Sequence, residues 1–481
     1  MGKYILSIDQ RTQSTKISVF DFEGNELCSA KHPLQAMVTA PGGIAEQHED
    51  IYESIVETMQ ELMERFTGDP KEIIGIGLGS IRFDRVLMKK DGTLAEPIQT
   101  WMDERIGYPY QGTNPEVAYL SADTGYLTVR MTGKFVDTFS NYAGAWPIDP
   151  EKWDWSDNPD LFDYFGMPRD MLLELKMPGD VLGTLLPEEA ARMNVPAHLP
   201  IIATANDKAV EALGAGLIDE DTVLISLGTY IAGMIANEYT PFDPELPYWS
   251  NPASIPNVFL NESGGIRRGM WMVSWFINDI LAKPWQEEAL SLETIPEELM
   301  NQAGLAVPAG SDGLMTVLDW LPHQQALYRK GTILGFDERH TNAHIYRSIL
   351  EAIAYTMKLN VDAMLDRQKI TRSKLVITGG GSNSDLFMQI FADVFNRPAT
   401  RNVINGAASL GAAINVAVGL GVYPDYETAI EKMVRQADTF EPNAENVDVY
   451  QTAVKNYASI RDITDQYYKT ANEVTEGAFT E

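Results

Sequence analysis

Two stretches far apart in the chain read alike, and they limit the folds open to it. Near the start, the apolar run Tyr4 to Ile8 arrives at Asp9. A short turn rich in hydroxyls and amides follows, Gln10-Arg11-Thr12-Gln13-Ser14-Thr15-Lys16, and Ile17, Val19 and Phe20 begin a second β-type run. Much later Thr222-Val-Leu-Ile-Ser226 leads through Leu227-Gly228-Thr229-Tyr230 into a run from Ile231 to Ala236. Each is a strand, a tight turn of small or hydroxyl residues, and a strand. The recurrence suggests a duplicated α/β domain with a boundary near Leu217. A turn lined by Thr12, Ser14, Thr15 and backbone N–H groups can hold phosphate oxygens, and Asp9 at the strand end can hold Mg²⁺ or its waters. An ordinary hairpin with a polar tip would read the same way.

A chain of 481 residues is long enough for two or more such domains, each with its own core. With 37 Lys plus Arg against 68 Asp plus Glu, the net charge is -31. That field repels nucleic acid and anionic membranes, so neither is an expected partner. The single cysteine, Cys28, excludes an internal disulfide framework and a cysteine-based zinc site. There is no basic-then-apolar leader pattern, and no apolar run reaches about 18 residues, so a soluble cytoplasmic protein is expected.

Between the two echoes, helical spacing of Ile51, Ile55, Met59, Leu62 and Met63 predicts a helix over Asp50 to Phe66. Ile73 to Leu78 reads as a strand, and Val86 to Met88 with the Lys90-Asp91-Gly92 turn and Leu94 reads as a hairpin. From Trp101 to Tyr164 the chain is rich in aromatics, Pro and Asn, which suits either sugar faces or a loop-rich core. Leu199 to Ala205 is a buried-type strand, followed by Asn206-Asp207-Lys208 and a helix of small residues. The C-terminal half predicts a long helix over Ala343 to Arg367 and a strand over Lys374 to Thr378. That strand runs into Gly379-Gly380-Gly381-Ser382-Asn383-Ser384 and a helix from Asp385 to Phe395. The last fifty or so residues read as acidic surface helices.

Several short motifs carry candidate chemistry. The turn from Gly379 to Ser384 lets a flat ligand or a phosphate approach bare backbone at a helix N-terminus. It lacks the Gly-Lys-Ser/Thr of a Walker loop, and tight packing alone would also explain it. Asp207, after a buried strand, can accept a proton from an attacking hydroxyl, or it can be a helix N-cap. His340 and His344 stand at an i, i+4 spacing that a metal pair could use, but no Glu occupies the zincin position. His32, His48, His198 and His323 are scattered. No Gly-x-Ser-x-Gly elbow supports a serine hydrolase.

Taken together and in order, these stretches resemble the FGGY family of carbohydrate kinases. The resemblance runs nearly end to end, through Asp9 to Lys16, Trp101-Met102-Asp103-Glu104-Arg105, Asn206-Asp207-Lys208 and Ser226-Leu227-Gly228-Thr229. It continues in Gly269-Met270-Trp271, Thr378 to Ser384 and Gly406-Ala407-Ala408. It implies two actin-like, ribonuclease-H-like α/β domains flanking a cleft. Residues 1–216 would form the sugar-binding domain with the catalytic base, and 217–481 the nucleotide-binding domain. By the same resemblance Asp207 would be the catalytic base and Asp9 would organise Mg²⁺. Thr12, Gln13 and Lys16 would face the transferring phosphate, with Gly228 and Thr229 forming the second phosphate hairpin. Gly380, Gly381 and Ser384 would border the adenosine of ATP. Arg82, Trp101, Asp103 and Trp271 would meet a small sugar or polyol, xylulose-like or glycerol-like. The implied activity is ATP-dependent phosphorylation of a substrate hydroxyl, and a homodimer is open. The chain departs from the family pattern at Arg11, where glycine is usual, around Arg82, and in short segments between Arg105 and Leu120 and before Gly331. These departures keep open a catalytically impaired ligand-binding relative, and an actin-like ATPase switch is a further alternative on the same fold.

Overall fold

The structure, a computed structural model, describes residues 2–478 except 36–37, 41–42, 46–48, 323–325 and 405. His48, His323 and Asn405 therefore lie outside the described residues.

Two twisted sheets organise the chain. The first runs, from one edge, Glu26–Pro33, Ser14–Phe20, Tyr4–Gln10, Ile73–Ser80, Pro200–Asn206 and Val181–Thr184. The second runs Tyr248–Pro252, Phe259–Ser263, Ile231–Asn237, Thr222–Leu227, Lys374–Thr378, Ala399–Asn402 and Gln436–Phe440. Leaving out Tyr248–Pro252, both sheets show the same sequence of pairings: antiparallel, antiparallel, parallel, parallel, antiparallel. The two hairpins noticed in the sequence occupy equivalent places, at the start of each meander. Their central strands are buried nearly throughout, so they read as continuous apolar runs and not as alternating ones.

One covering helix in each half follows the second parallel crossover strand: Asp207–Gly214 and Ala407–Gly419. They pack on each other antiparallel. A Cβ on Gly411 would lie 1.9 Å from the Val210 carbonyl oxygen, and one on Gly214 would lie 1.8 Å from that of Ala407. Only glycine allows main chains so close. Ala407–Gly419 also lies on the first sheet, where a Cβ at Gly77 would meet the Ala412 carbonyl oxygen at 2.4 Å. The second half thus covers part of the first half's sheet, and small residues on this helix are what permit it.

The long helix Asn342–Gln368 buries Ile349, Ile353, Met357 and Val361 against the second sheet's core. Thr341 and His344 close its start as a reciprocal cap. His340 therefore precedes the helix, and its Nδ1 accepts from Asp337 N at 2.8 Å. Val86–Met88 pairs with Tyr119–Ser121, and Leu94 contributes only an isolated bridge to Met88, so the expected local hairpin is a minor part of a longer-range pairing. In the aromatic stretch, Tyr142, Trp146 and Trp155 form a buried cluster, the loop-rich core of the two readings, while Trp101 stays half-exposed. The acidic C-terminal stretch is one helix, Ala444–Ala478. Among the described residues no helix is long and apolar enough to cross a membrane.

Candidate active site

Ligand sites in parallel α/β sheets form at the carboxyl ends of the strands, and here those ends bring together most of the polar residues singled out above. Asp9 ends its strand almost fully buried. Two residues on, the half-exposed Arg11 turns back and donates from Nε to Asp9 Oδ2 at 2.8 Å, with a terminal guanidinium nitrogen 2.6 Å from the same oxygen. Asp9, with smaller contributions from Glu211 and Asp207, raises the pKa of Arg11 further above its ordinary value. Arg11 thus sits among three carboxylates, two of them from the Asp207–Gly214 helix. The strand that leads into Asp207 is separated from the strand of Asp9 by one strand and runs the same way, so the first hairpin and Asp207 share one end of the sheet.

Asp207 is the first residue of its helix, but it is not the cap. Asn206 caps, accepting from Ala209 N at 3.1 Å through its side chain. This leaves the Asp207 carboxylate to the groove, apart from accepting from Lys208 N at 2.9 Å. Burial raises its pKa, opposed by Arg82 and Lys208 and assisted by Glu211. A carboxylate tuned upward in this way is a better proton acceptor.

One turn along the helix, Glu211 ties the two sheets together. It accepts from Ser226 Oγ and Thr378 Oγ1, both at 2.8 Å, and from Lys208 Nζ at 3.1 Å. Burial pushes the Glu211 carboxyl up, and Lys208 with the two hydroxyls outweighs it, so the group stays below its usual range. Ser226 and Thr378 end the two central parallel strands of the second sheet, so this cluster anchors the strand ends that lead into both glycine turns.

Other candidate residues have partners within the protein. Trp101 Nε1 donates to Thr12 Oγ1 at 3.1 Å, which places its indole beside the hairpin tip, where Gln13 is exposed. Lys16 Nζ lies 2.7 Å from Glu26 and close to Gly406. Arg82 does not project freely into the groove. Both of its terminal nitrogens donate to Glu262, each at 2.8 Å, in a bidentate pair almost closed to solvent. Asp103 caps the short helix Glu104–Gly107 and is held twice more by Arg105, so its carboxylate is engaged within the loop.

On the second sheet, Gly228 and Thr229 receive main-chain hydrogen bonds at their carbonyls from Met270 and Gly269. This pins the start of the Trp271–Trp275 helix to the hairpin. Trp271 itself packs beside Trp275 and under Arg268. Gly379 has φ +85° and lies against Leu227, whose carbonyl oxygen a Cβ would approach to 2.5 Å. A Cβ on Gly380 would meet nothing within 4 Å, so a ligand has room there. Gly381 is buried against Leu227 and Met270, while Ser384 caps the Asp385–Phe395 helix and donates to Asn301 Oδ1 at 2.8 Å.

Both halves of the chain match family models. Residues 4–109 and 110–214 match the N-terminal domain of the FGGY family of carbohydrate kinases, and residues 223–420 match its C-terminal domain. The chain belongs to the FGGY family of carbohydrate kinases. As a member it is a phosphotransferase that uses ATP and an alcohol acceptor, built on the two-domain actin-like fold. It is 48% identical over 477 residues to the Escherichia coli (strain K12) protein named "Uncharacterized sugar kinase YgcE", covering 99% of this chain and 96% of that one. It is 24% identical to the xylulose kinase of Bacillus subtilis (strain 168), covering 95% and 96%. Among solved structures, a ligand-bound xylulose kinase from Lactobacillus acidophilus superposes with a TM-score of 0.84 at 19% identity, covering 97% of this chain and 99% of that one.

The sequence reading did not single out Glu262 and Glu211, and it named Lys208 only within Asn206-Asp207-Lys208, without a role. Glu262 leaves one signal, a lone acid inside the buried strand Phe259–Ser263, which needs a cationic partner. Lys208 and Glu211 leave another, opposite charges at an i, i+3 spacing beside Asp207.

Proposed function

We propose that this kinase phosphorylates a small sugar or polyol, pentulose-like or glycerol-like, with Asp207 as the base. The observation that carries the reading is Asp207 at a strand end, uncommitted to capping and raised in pKa, in the same groove as the Asp9–Thr15 turn. The match to xylulose kinases supports the pentulose class. In this reading the first half holds the acceptor and the second half the nucleotide. Asp207 takes the proton of the attacking hydroxyl late in the transfer. Arg82, fixed by Glu262 and facing Asp207, orients acceptor hydroxyls, while Trp101 offers its face, with Trp271 approaching from the second half. Thr12, Gln13 and the backbone of both hairpins cradle the phosphates, Lys16 adds positive charge at the far edge, and Gly380 and Gly381 border the adenosine.

Magnesium fits this donor set. Mg²⁺ typically takes one or two carboxylates and completes its shell with phosphate oxygens and water. Among the described residues no group of three metal-ligating side chains stands ready. Asp9 would hold the ion together with the nucleotide, and when bound the ion would neutralise charge on the transferring phosphoryl group. Arg11 already supplies positive charge to Asp9, so it is displaced from that carboxylate, or shares it, when the nucleotide arrives.

The deciding experiment incubates the protein with Mg-ATP and a panel of ketoses, polyols, aldoses and sugar acids while following ADP. ADP formation that depends on one ketose or polyol is expected. ADP release independent of every acceptor would refute the proposal.

A further inference from the structure

Behind the first hairpin lies a chain of buried polar groups whose protons do not add up if every acid is ionised. Ser80 Oγ is 2.9 Å from Gln10 Oε1 and also within hydrogen-bond distance of Asp123 Oδ2. Gln10 Nε2 donates to the Arg11 carbonyl oxygen at 3.0 Å, which fixes the orientation of its amide and leaves Oε1 facing Ser80 as an acceptor. A serine hydroxyl has a single proton and an ionised carboxylate has none. If that serine proton goes to Gln10, the contact with Asp123 needs a proton from Asp123 itself. The other oxygen of Asp123 accepts from Asn141 Nδ2 at 3.3 Å, as the carbonyl oxygen of a neutral acid would.

We propose that Asp123 is held as a neutral acid and acts as a positioning residue, fixing through Ser80 and Gln10 the turn at Arg11 that receives the phosphates. The run of bonds is Asp123 to Ser80, Ser80 to Gln10, and Gln10 to the Arg11 carbonyl. This inference rests on the kinase reading for its purpose, but not for its chemistry. Asp123 and Ser80 are fully buried. Burial pushes the Asp123 carboxyl up to about 7, with Asp207 adding to the rise. The titratable groups facing it are acids: Asp84, whose Oδ2 accepts from Asp123 N at 2.8 Å; Asp207 from its helix; and Asp137, itself raised to about 7 by burial and accepting from Tyr142. The Asn141 amide and the Thr124 N–H donate to Asp123 and favour its charged form, and burial outweighs them. Its place in the first turn of the Asp123–Thr132 helix favours the charged form, and burial outweighs that. Ionisation above neutrality would draw the single Ser80 proton to Asp123, break the bond from Ser80 to Gln10 and so release the turn.

Two readouts test this on the full-length protein, with Asp123→Asn and Asp123→Ala. Asparagine can donate to Ser80 and accept from Asn141 at every pH, so it imitates the neutral acid. The infrared difference between wild type and Asp123→Asn should show a protonated carboxyl band at pH 6 that fades as pH passes through about 7 and beyond. The dissociation constant for Mg-ADP should rise with pH in the wild type, stay flat and within about twofold in Asp123→Asn, and be about tenfold weaker in Asp123→Ala at pH 6.5. Absence of the band at pH 6, or Asp123→Asn binding as weakly as Asp123→Ala, would overturn the proposal. A wild type that shows the band and binds no nucleotide at any pH would instead overturn the kinase reading and the positioning role with it, leaving the neutral acid established.

Discussion

The two halves of the molecule share a strand order and use it for different ends. After the first strand, one half carries Arg11 and Thr12, whose side chains meet Asp9 and Trp101, and the exposed Gln13. The other carries Gly228 and Thr229, held through main-chain bonds to Gly269 and Met270. After the first parallel crossover strand, one half presents Arg82 on Glu262, and the other presents Gly379-Gly380-Gly381. At the start of the covering helix one half has Asp207, and the other has Ala407. The first half therefore works through side-chain charge, and the second through backbone and space. A duplicated scaffold can divide labour in this way because equivalent positions can take opposite chemistries without disturbing the strands.

The sharpest test of that division is Asp207→Ala. Turnover should fall about 10²–10⁴-fold while Mg-ADP affinity stays within about twofold; a large loss of nucleotide affinity would blur the division. Next, Glu262→Ala strands Arg82 without its partner and should cost about 3–5 kcal/mol in urea unfolding. A cost near zero would mean that water or another acid replaces Glu262. In the second half the glycines should separate. Gly379→Ala, at positive φ against Leu227, should lose about 1–3 kcal/mol of stability. Gly380→Val should keep the melting temperature and weaken Mg-ADP binding about tenfold, since only the ligand's room is taken. Arg11→Gly removes a half-exposed ion pair and should lower the half-saturating Mg²⁺ concentration about threefold. An increase would place Arg11 on the phosphates instead.

A pH slope gives a separate test, on the buried acids of the first half. Asp123 and Asp137 have pKa values raised to about 7 from an ordinary 3.8, chiefly by burial. The folded state therefore keeps protons that the unfolded chain releases between about pH 4 and 7. The contribution is complete below about pH 4 and is lost as pH rises through 7. Unfolding midpoints from pH 5 to 8 should fall, and the double variant Asp123→Asn, Asp137→Asn should flatten the slope.

Most of the scaffold was legible because long apolar runs and glycine turns are local signals. The strand Lys374–Thr378 and the helix Asp385–Phe395 stand where periodicity put them, and the echo of the two hairpins proved to be a shared sheet order. Roles within the site were less legible because they depend on partners remote in sequence. Nothing near Arg82 announces Glu262, and nothing near Asp103 shows whether Arg105 or a sugar will take its carboxylate. Asp207 read equally as a cap until Asn206 was seen to fill that place.

The crossing of Asp207–Gly214 and Ala407–Gly419 has a mechanical consequence. Where Gly214 and Gly411 meet carbonyls of the opposite helix, no side chains interdigitate to act as cogs. The seam lies close behind Asp207 and is shaped like an axle, so a change in the aperture of the groove would swivel about it. The carboxylate proposed as the base would then be the point that travels least if the groove opened or closed.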